Sequence, residues 1–263
     1  MSDTGGARLN VSNGVATILF DRAHARNAML QATWQALPGL VARAEADTNV
    51  AAIVLRGSGG HFGAGNDIAE FGVLRSDPAK CRAYGQAMAD AMMAVEHATK
   101  PVIAAIEGSC FGASVALTLT ADIRVAANNA RFAITPAKLG ALYLRSDLHR
   151  LVAAIGQGQA RRIIYTAVTL EASEAANIGL LDQLVPPDQF DAELDAVCQS
   201  ILRGSPFTLH HSKRMLRSAG HGETPVEDEQ SLDWFVAAMQ GADFAEGYAA
   251  FMAKRAPEFK TDA

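Results

Sequence analysis

The chain has little cysteine. Its three, Cys81, Cys110 and Cys198, are odd in number, far apart and without CxxC spacing, so neither a disulfide framework nor a zinc site is indicated, and the reducing cytoplasm is the expected compartment. Positive charge is also short, with 23 Lys and Arg against 28 Asp and Glu for a formal net charge of −5. That balance argues against a non-specific nucleic-acid binder, which needs a basic footprint to displace counterions from phosphates. No apolar run approaches the ~18 residues that span a bilayer, and the opening MSDTGGARLN has neither a basic n-region nor an apolar h-region. Neither export nor membrane insertion is expected. A local absence is more pointed: residues 108–122, GSCFGASVALTLTAD, carry no charge until Asp122.

With 263 residues, 49% of them hydrophobic and 19% charged, the composition is that of a soluble globular chain able to bury one large core. Ser12-Asn13-Gly14 lies between two β-forming runs and predicts an opening hairpin. From Met29 to Ala46 apolar residues recur at helical spacing, with Pro38 expected to kink the helix or cap a second segment. Ala51–Leu55 and Val102–Ile106 read as buried strands. A helix is predicted over 78–98 and another over 113–120, with short strands at 123–126 and 131–133. This alternation is that of βαβ units, whose loops at the carboxyl ends of strands are the usual binding places. From Arg145 onward the pattern is helical except near Leu181–Val185. Segments 188–203, 206–218, 225–239 and 243–254 form a C-terminal helical region, giving a core over 1–187 and a helical part over 188–263.

Two glycine-rich loops follow the two buried strands. The first, IVLRGSGGHFGAGNDIAEF (53–71), fails as a dinucleotide fingerprint because Phe62 and Ile68 stand where the third glycine is required, and no Walker lysine follows. The second, Glu107 to Ser114, repeats the strand, loop, helix arrangement. Such loops either mark tight turns or aim one backbone N–H each at a common point, the geometry of an oxyanion hole.

These residues resemble the crotonase, or enoyl-CoA hydratase/isomerase, superfamily. The resemblance runs in order through ILFDRAHARNAM, the first loop, PVIAAIEGSCFGASVALTLTADIRVAA, ARFAITPAKLG, LEASEAANIGLLDQLVP and FAEGYAAFMAKRAPEF. It implies an α/β fold, a crotonase-like spiral ββα core with a C-terminal helical region that mediates trimerisation, as a homotrimer or a dimer of trimers. It implies lyase or isomerase chemistry on an acyl-CoA thioester, with coenzyme A as part of the substrate and no separate cofactor or metal. By position the thioester oxygen would lie between the backbone N–H groups of Asn66 and Ala113. The CoA moiety would lie against His24, Ala28, Ala64, Asp67, Ile68 and Gly112, with Lys254 and Phe259 added by the C-terminal helix of the same or a neighbouring subunit.

The two glutamates that such hydratases use as general acid and base fall on Ala116 and Pro136, neither of which can exchange a proton. Register shifts onto Val115, Leu117, Thr135 or Ala137 supply none either. Within GALYLRSDLHR, Tyr143, Asp147 and His149 are the candidates for other chemistry. Equally, Asp147 caps a helix or pairs with Arg145 or Arg150, His149 lies on a helix face, and Tyr143 packs. Asp67 is expected at a helix N-terminus, Arg22 and Arg26 on the surface or in structural roles, and Glu107 in bracing a loop or a subunit contact. Two functions follow: an acyl-CoA enzyme working without the glutamate pair, by thioester hydrolysis, decarboxylation or an unusual hydration, or a catalytically silent acyl-CoA binder or partner subunit.

Overall fold

A computed structural model describes residues 5–220 and 228–260. Asn13 and Gly14 both take positive φ, 49° and 79°, which turns β1 (Ala7–Ser12) back on β2 (Val15–Phe20) with Ser12 opposite Val15. Helix α1 (Gln31–Ala46) leads to β3 (Ala52–Gly57), which lies parallel to β2. Pro38 lies inside α1 and does not cap a second segment, so the helix runs on through it. The helix loses one N–H there but buries Trp34, Leu37, Leu40, Val41 and Ala44 along one face, and that packing outweighs the missing bond.

Beyond the first loop come α2 (Phe71–Ser76), α3 (Pro78–Glu96) and β4 (Val102–Ile106), the last buried at every position. A three-residue strand β5 (Ser109–Phe111) precedes α4 (Ala113–Thr118), β6 (Ile123–Ala127) and β7 (Arg131–Ala133). Helix α4 stops two residues short of the expected Thr120. The Thr118 and Thr120 hydroxyls donate to the Val115 and Leu117 carbonyls, a local alternative to the helix ladder. Next are α5 (Pro136–Leu139), α6 (Arg145–Thr166), β8 (Thr169–Glu171), α7 (Ala172–Asn177) and β9 (Gln183–Val185). Gly156, at φ 72° and ψ 162°, breaks α6 into two helical parts. The chain closes with α8 (Phe190–Leu202), α9 (Pro206–Gly220), α10 (Glu229–Gln240) and α11 (Ala242–Met252).

The strands form a six-stranded sheet in the order β1-β2-β3-β4-β6-β9 and a three-stranded one in the order β5-β7-β8. Two isolated parallel bridges, Met29 to Asn66 and Gly63 to Cys110, carry the small sheet across the first loop. Chain segments therefore coil from the large sheet into a second layer and back at each turn. Between the layers sit Phe20, Trp34, Phe62 and Phe132, all essentially inaccessible to solvent. Burying a Phe contributes roughly 1.5–3 kcal/mol. The other face of the large sheet, with Val54, Ile103, Val125 and Val185, is sealed by Phe190, Leu194 and Cys198 of α8. Among the described residues no helix is long and apolar enough to cross a membrane, and no cluster of His, Cys, Asp or Glu is arranged to hold a metal ion.

Candidate functional site

The two glycine-rich loops meet backbone to backbone at the carboxyl ends of β3 and β4. Gly65 has φ 91°, and a Cβ there would lie 2.8 Å from the Phe111 carbonyl oxygen and 3.3 Å from the Ala113 nitrogen. Only glycine permits that approach. The Gly65 N–H donates to Ser114 Oγ at 3.0 Å in a fully buried bond, Gly63 N–H to the Ser109 carbonyl at 2.9 Å, and Phe111 N–H back to Gly63 at 2.9 Å. Asn27 braces the start of the loop through its amide, which donates to the Ser58 and His61 carbonyls at 2.9 and 2.6 Å. His61 Nδ1 accepts from the Ser109 N–H at 3.0 Å. Loop one is thus tied to loop two at several points.

At the Met29 bridge, Met29 N–H donates to the Gly65 carbonyl and Asp67 N–H to the Met29 carbonyl, at 2.7 and 2.9 Å. In a parallel pairing this turns the N–H of the intervening Asn66 to the opposite side. Its side chain is held by Trp34, whose indole N–H donates to Oδ1 at 2.9 Å, while its amide donates to Met88 Sδ at 3.5 Å. The hydroxyl of Tyr84, on α3, is buried beside Trp34 in the same cluster.

Ala113 is the first residue of α4 and follows Gly112, whose φ of 54° and ψ of −126° suit glycine. Gly112 N–H donates to the Ala133 carbonyl at 2.8 Å, and the Gly112 carbonyl accepts from Val115 and Ala116 N–H at 3.0 and 3.4 Å. Tyr143 Oη donates to that same carbonyl at 2.5 Å. Among the described residues neither the Asn66 N–H nor the Ala113 N–H has an acceptor in the chain. A helix leaves its first N–H groups unpaired in this way. The two donors lie on adjoining loops whose backbones are in contact.

Ala116 and Pro136, the positions that the resemblance matches to two glutamates, carry no group that transfers a proton. Ala116 is wholly buried in α4, and Pro136 opens α5. Asp147, in the first turn of α6, is 1% exposed and paired with Arg150 at 2.9 Å, which in turn forks onto Glu96 of α3 at 2.6 and 3.1 Å. Burial pushes its carboxyl up to about 6 in spite of Arg150, and Glu96 adds to the rise. Burial also raises the Tyr143 phenol well above its ordinary value, with smaller contributions from Cys110 and Asp147. Of the alternatives open for Asp147, pairing with Arg150 is observed, and the carboxylate also meets the Leu144 N–H at the head of α6, as a capping group does. His149 is exposed.

Asp67 caps a short 3-10 turn over Ile68–Glu70 rather than a full helix, accepting from Ala69 N–H at 3.1 Å. Burial opposes its ionisation, but that N–H and Arg22, 2.9 Å away, hold its carboxyl below the usual carboxylate range. Arg22 also donates to the Ala28 carbonyl, a structural role. Glu107 pairs with Arg56 at 2.7 Å, and Arg56 reaches Asp191 at 2.6 Å while lying over the Phe190 ring. The corner carboxylate therefore braces its loop against α8.

Ala64 N–H donates to the Arg26 carbonyl at 2.9 Å, which draws the His24 to Ala28 segment against Ala64 and the Asp67–Ile68 corner. His24 and Ile68 are exposed on this rim, Ala28 and Ala64 half-buried. Lys254 and Phe259 lie elsewhere in the chain, after α11. Lys254 is exposed, and Phe259 packs near Gly247 and lines a cavity of about 370 Å³ with Phe207, Phe244, Tyr248 and Phe251. Among the described residues no hydrogen bond or ion pair joins either one to the His24 rim. The sequence assigned no role to the Ser114 hydroxyl, the Asn27 amide or the Trp34 indole, which hold the two loops in place. The signal for Asn27 was present, since asparagine is enriched at positive φ, here 55°.

The family model described as enoyl-CoA hydratase/isomerase matches residues 10–262. The chain is 30% identical over 249 residues to the crotonyl-CoA hydratase of Syntrophomonas wolfei, covering 93% of this chain and 94% of that one. Among solved structures, an enoyl-CoA hydratase/isomerase family protein from Hyphomonas neptunium superposes with a TM-score of 0.93 at 38% identity, covering 97% of each chain. An enoyl-CoA hydratase/carnithine racemase from Magnetospirillum magneticum gives 0.92 at 30% identity, covering 98% of this chain and 96% of the other. The spiral α/β core, the paired loops and these matches along nearly the whole length lead to one conclusion: the chain belongs to the enoyl-CoA hydratase/isomerase family.

Proposed function

We propose that this protein binds an acyl-CoA thioester with its carbonyl oxygen between the Asn66 and Ala113 N–H groups, and acts on it without the two-glutamate acid/base pair. The observation that carries this reading is the pair of unengaged N–H donors on loops held together at Gly65 and Ser114. Preorganised donors of this type stabilise a developing oxyanion by roughly 3–4 kcal/mol each. Charge that builds on the thioester oxygen during enolate or tetrahedral-intermediate formation is what they would meet. Decarboxylation, which needs no activated water, fits better than hydration or thioester hydrolysis, since Ala116 and Pro136 cannot activate water.

The rim formed by His24, Ala28, Ala64, Asp67 and Ile68 would receive the CoA moiety, with Gly112 beneath the thioester. Lys254 and Phe259 would join it from a neighbouring copy. Helices α10 and α11 expose Leu232, Phe235, Phe251 and Met252, apolar surface suited to a second and third copy in a homotrimer or a dimer of trimers. Free cysteines, two of them buried, suit work in the reducing cytoplasm.

A second reading, a silent acyl-CoA binder, is favoured by Asp147, whose carboxylate is enclosed and committed to Arg150. Thermal melts with a panel of acyl-CoA esters, followed by turnover assays on the same panel, test both. A bound ester at 100 times its Kd stabilises by about 2.7 kcal/mol. Binding with turnover supports the enzyme, binding without turnover supports the silent subunit, and no stabilisation by any ester rejects the acyl-CoA site.

A further inference from the structure

We infer that Tyr143 is a positioning residue for the second oxyanion donor, its hydroxyl holding the Gly112–Ala113 peptide so that the Ala113 N–H faces the thioester oxygen. This rests on the acyl-CoA reading above. The Gly112 carbonyl and the Ala113 N–H belong to one planar peptide unit and point in opposite directions. Whatever fixes the carbonyl fixes the donor.

Left to itself this peptide is poorly fixed. Gly112 has the widest conformational freedom of any residue, and rotation of the peptide plane would turn the Ala113 N–H away, leaving Asn66 as a single donor. The bonds to the Gly112 carbonyl from within α4 are ordinary to long, 3.0 Å from Val115 and 3.4 Å from Ala116. Tyr143 supplies a further bond, and it comes from outside the helix, across 31 residues of chain. A donor on the carbonyl also polarises the peptide, strengthening its N–H by about 10–30% in hydrogen-bond terms.

Tyr143 is itself anchored. It stands just before α6, whose first turn is held by the buried Asp147, Arg150 and Glu96 group, while its neighbour Leu142 is 95% exposed. Burial keeps the phenol protonated, so it remains a donor at ordinary pH. The stretch that lacks the glutamate at Pro136 thus reaches the second donor a few residues later, through its peptide.

The test labels glycine with 13C at the carbonyl and alanine with 15N, so that only Gly-Ala peptides give correlated amide signals. In the ligand-free chain, Tyr143→Phe should shift the Gly112–Ala113 signal more than those of Gly63–Ala64 or Gly140–Ala141. With butyryl-CoA carrying 13C in its thioester carbonyl, isotope-edited infrared should show the band lowered on binding to the wild type. Tyr143→Phe should lose at least about half of that shift while its Kd changes by less than about threefold. A loss of packing alone would change affinity and melting without this spectral signature. If Tyr143→Phe folds poorly, 3-fluorotyrosine at 143, a stronger donor of nearly the same shape, should move both signals in the opposite direction. An unchanged Gly112–Ala113 signal, or a carbonyl band equally shifted in Tyr143→Phe, overturns the role. A wild-type chain that binds butyryl-CoA without shifting the band, or does not bind it, overturns the acyl-CoA reading and Tyr143's purpose with it, whatever the amide signal does.

Discussion

Ser114 Oγ accepts the Gly65 N–H at 3.0 Å with both groups shielded from water. This bond joins the residue after one proposed donor to the residue before the other. Removing it leaves a buried N–H without an acceptor, which costs about 1–3 kcal/mol. Ser114→Ala should therefore lower unfolding stability by that amount, measured by urea titration, and should weaken acyl-CoA binding through the loosened first loop. Unchanged stability would show that the two loops are held by other bonds.

Ala113→Pro deletes the donor while placing proline at the first position of α4, where it is tolerated best. Thioester polarisation in a bound acyl-CoA should largely disappear, and any turnover should fall by about 10²–10³. Circular dichroism and melting on the same sample separate loss of the donor from loss of the fold. Retained turnover in a folded variant would remove Ala113 from the site.

Asp147 gives a pH prediction with a definite sign. Its carboxyl goes from 3.8 when unfolded up to about 6 in the fold, so the folded state binds the extra proton between those values. Stability then falls as pH rises through that window, because the fold resists the ionised form. Two pH units correspond to a change on the order of 3 kcal/mol. Unfolding free energies of the wild type and Asp147→Asn, compared from pH 4 to pH 7, should diverge in this direction. A wild type that gains on the variant as pH rises would mean that Arg150 more than offsets burial.

Local chemistry made much of this legible in the sequence. Asn13-Gly14 announces its hairpin, the fully apolar IVL and VIAAI runs announce strands covered on both faces, and the two glycine-rich loops mark where backbone comes closest to backbone. What stayed hidden depends on distant partners. Strands β5 and β8, three residues each, exist because they pair with β7, and nothing in SCF or TLE signals that. Helix α2 is too short for its apolar spacing to declare it. Pro38 reads as a kink or the cap of a second segment, yet α1 runs on through it with Trp34 and Leu37 buried. Asp147 meets Arg150 within one helical turn, but Glu96 reaches the same arginine from α3. Tyr143 reads as a candidate for chemistry or as a packing residue, and only the fold brings Gly112 against it.

The central claim is that this family member keeps the two backbone donors and lacks the acid/base pair for hydration. Crotonyl-CoA tests it most directly, through equilibrium binding together with loss of the conjugated enoyl absorbance on the same protein. The account predicts saturable binding with no hydration above the uncatalysed rate. Hydration at an ordinary enzymatic rate, on the order of 10 s⁻¹, would contradict it and require another side chain to activate water in place of Ala116 and Pro136.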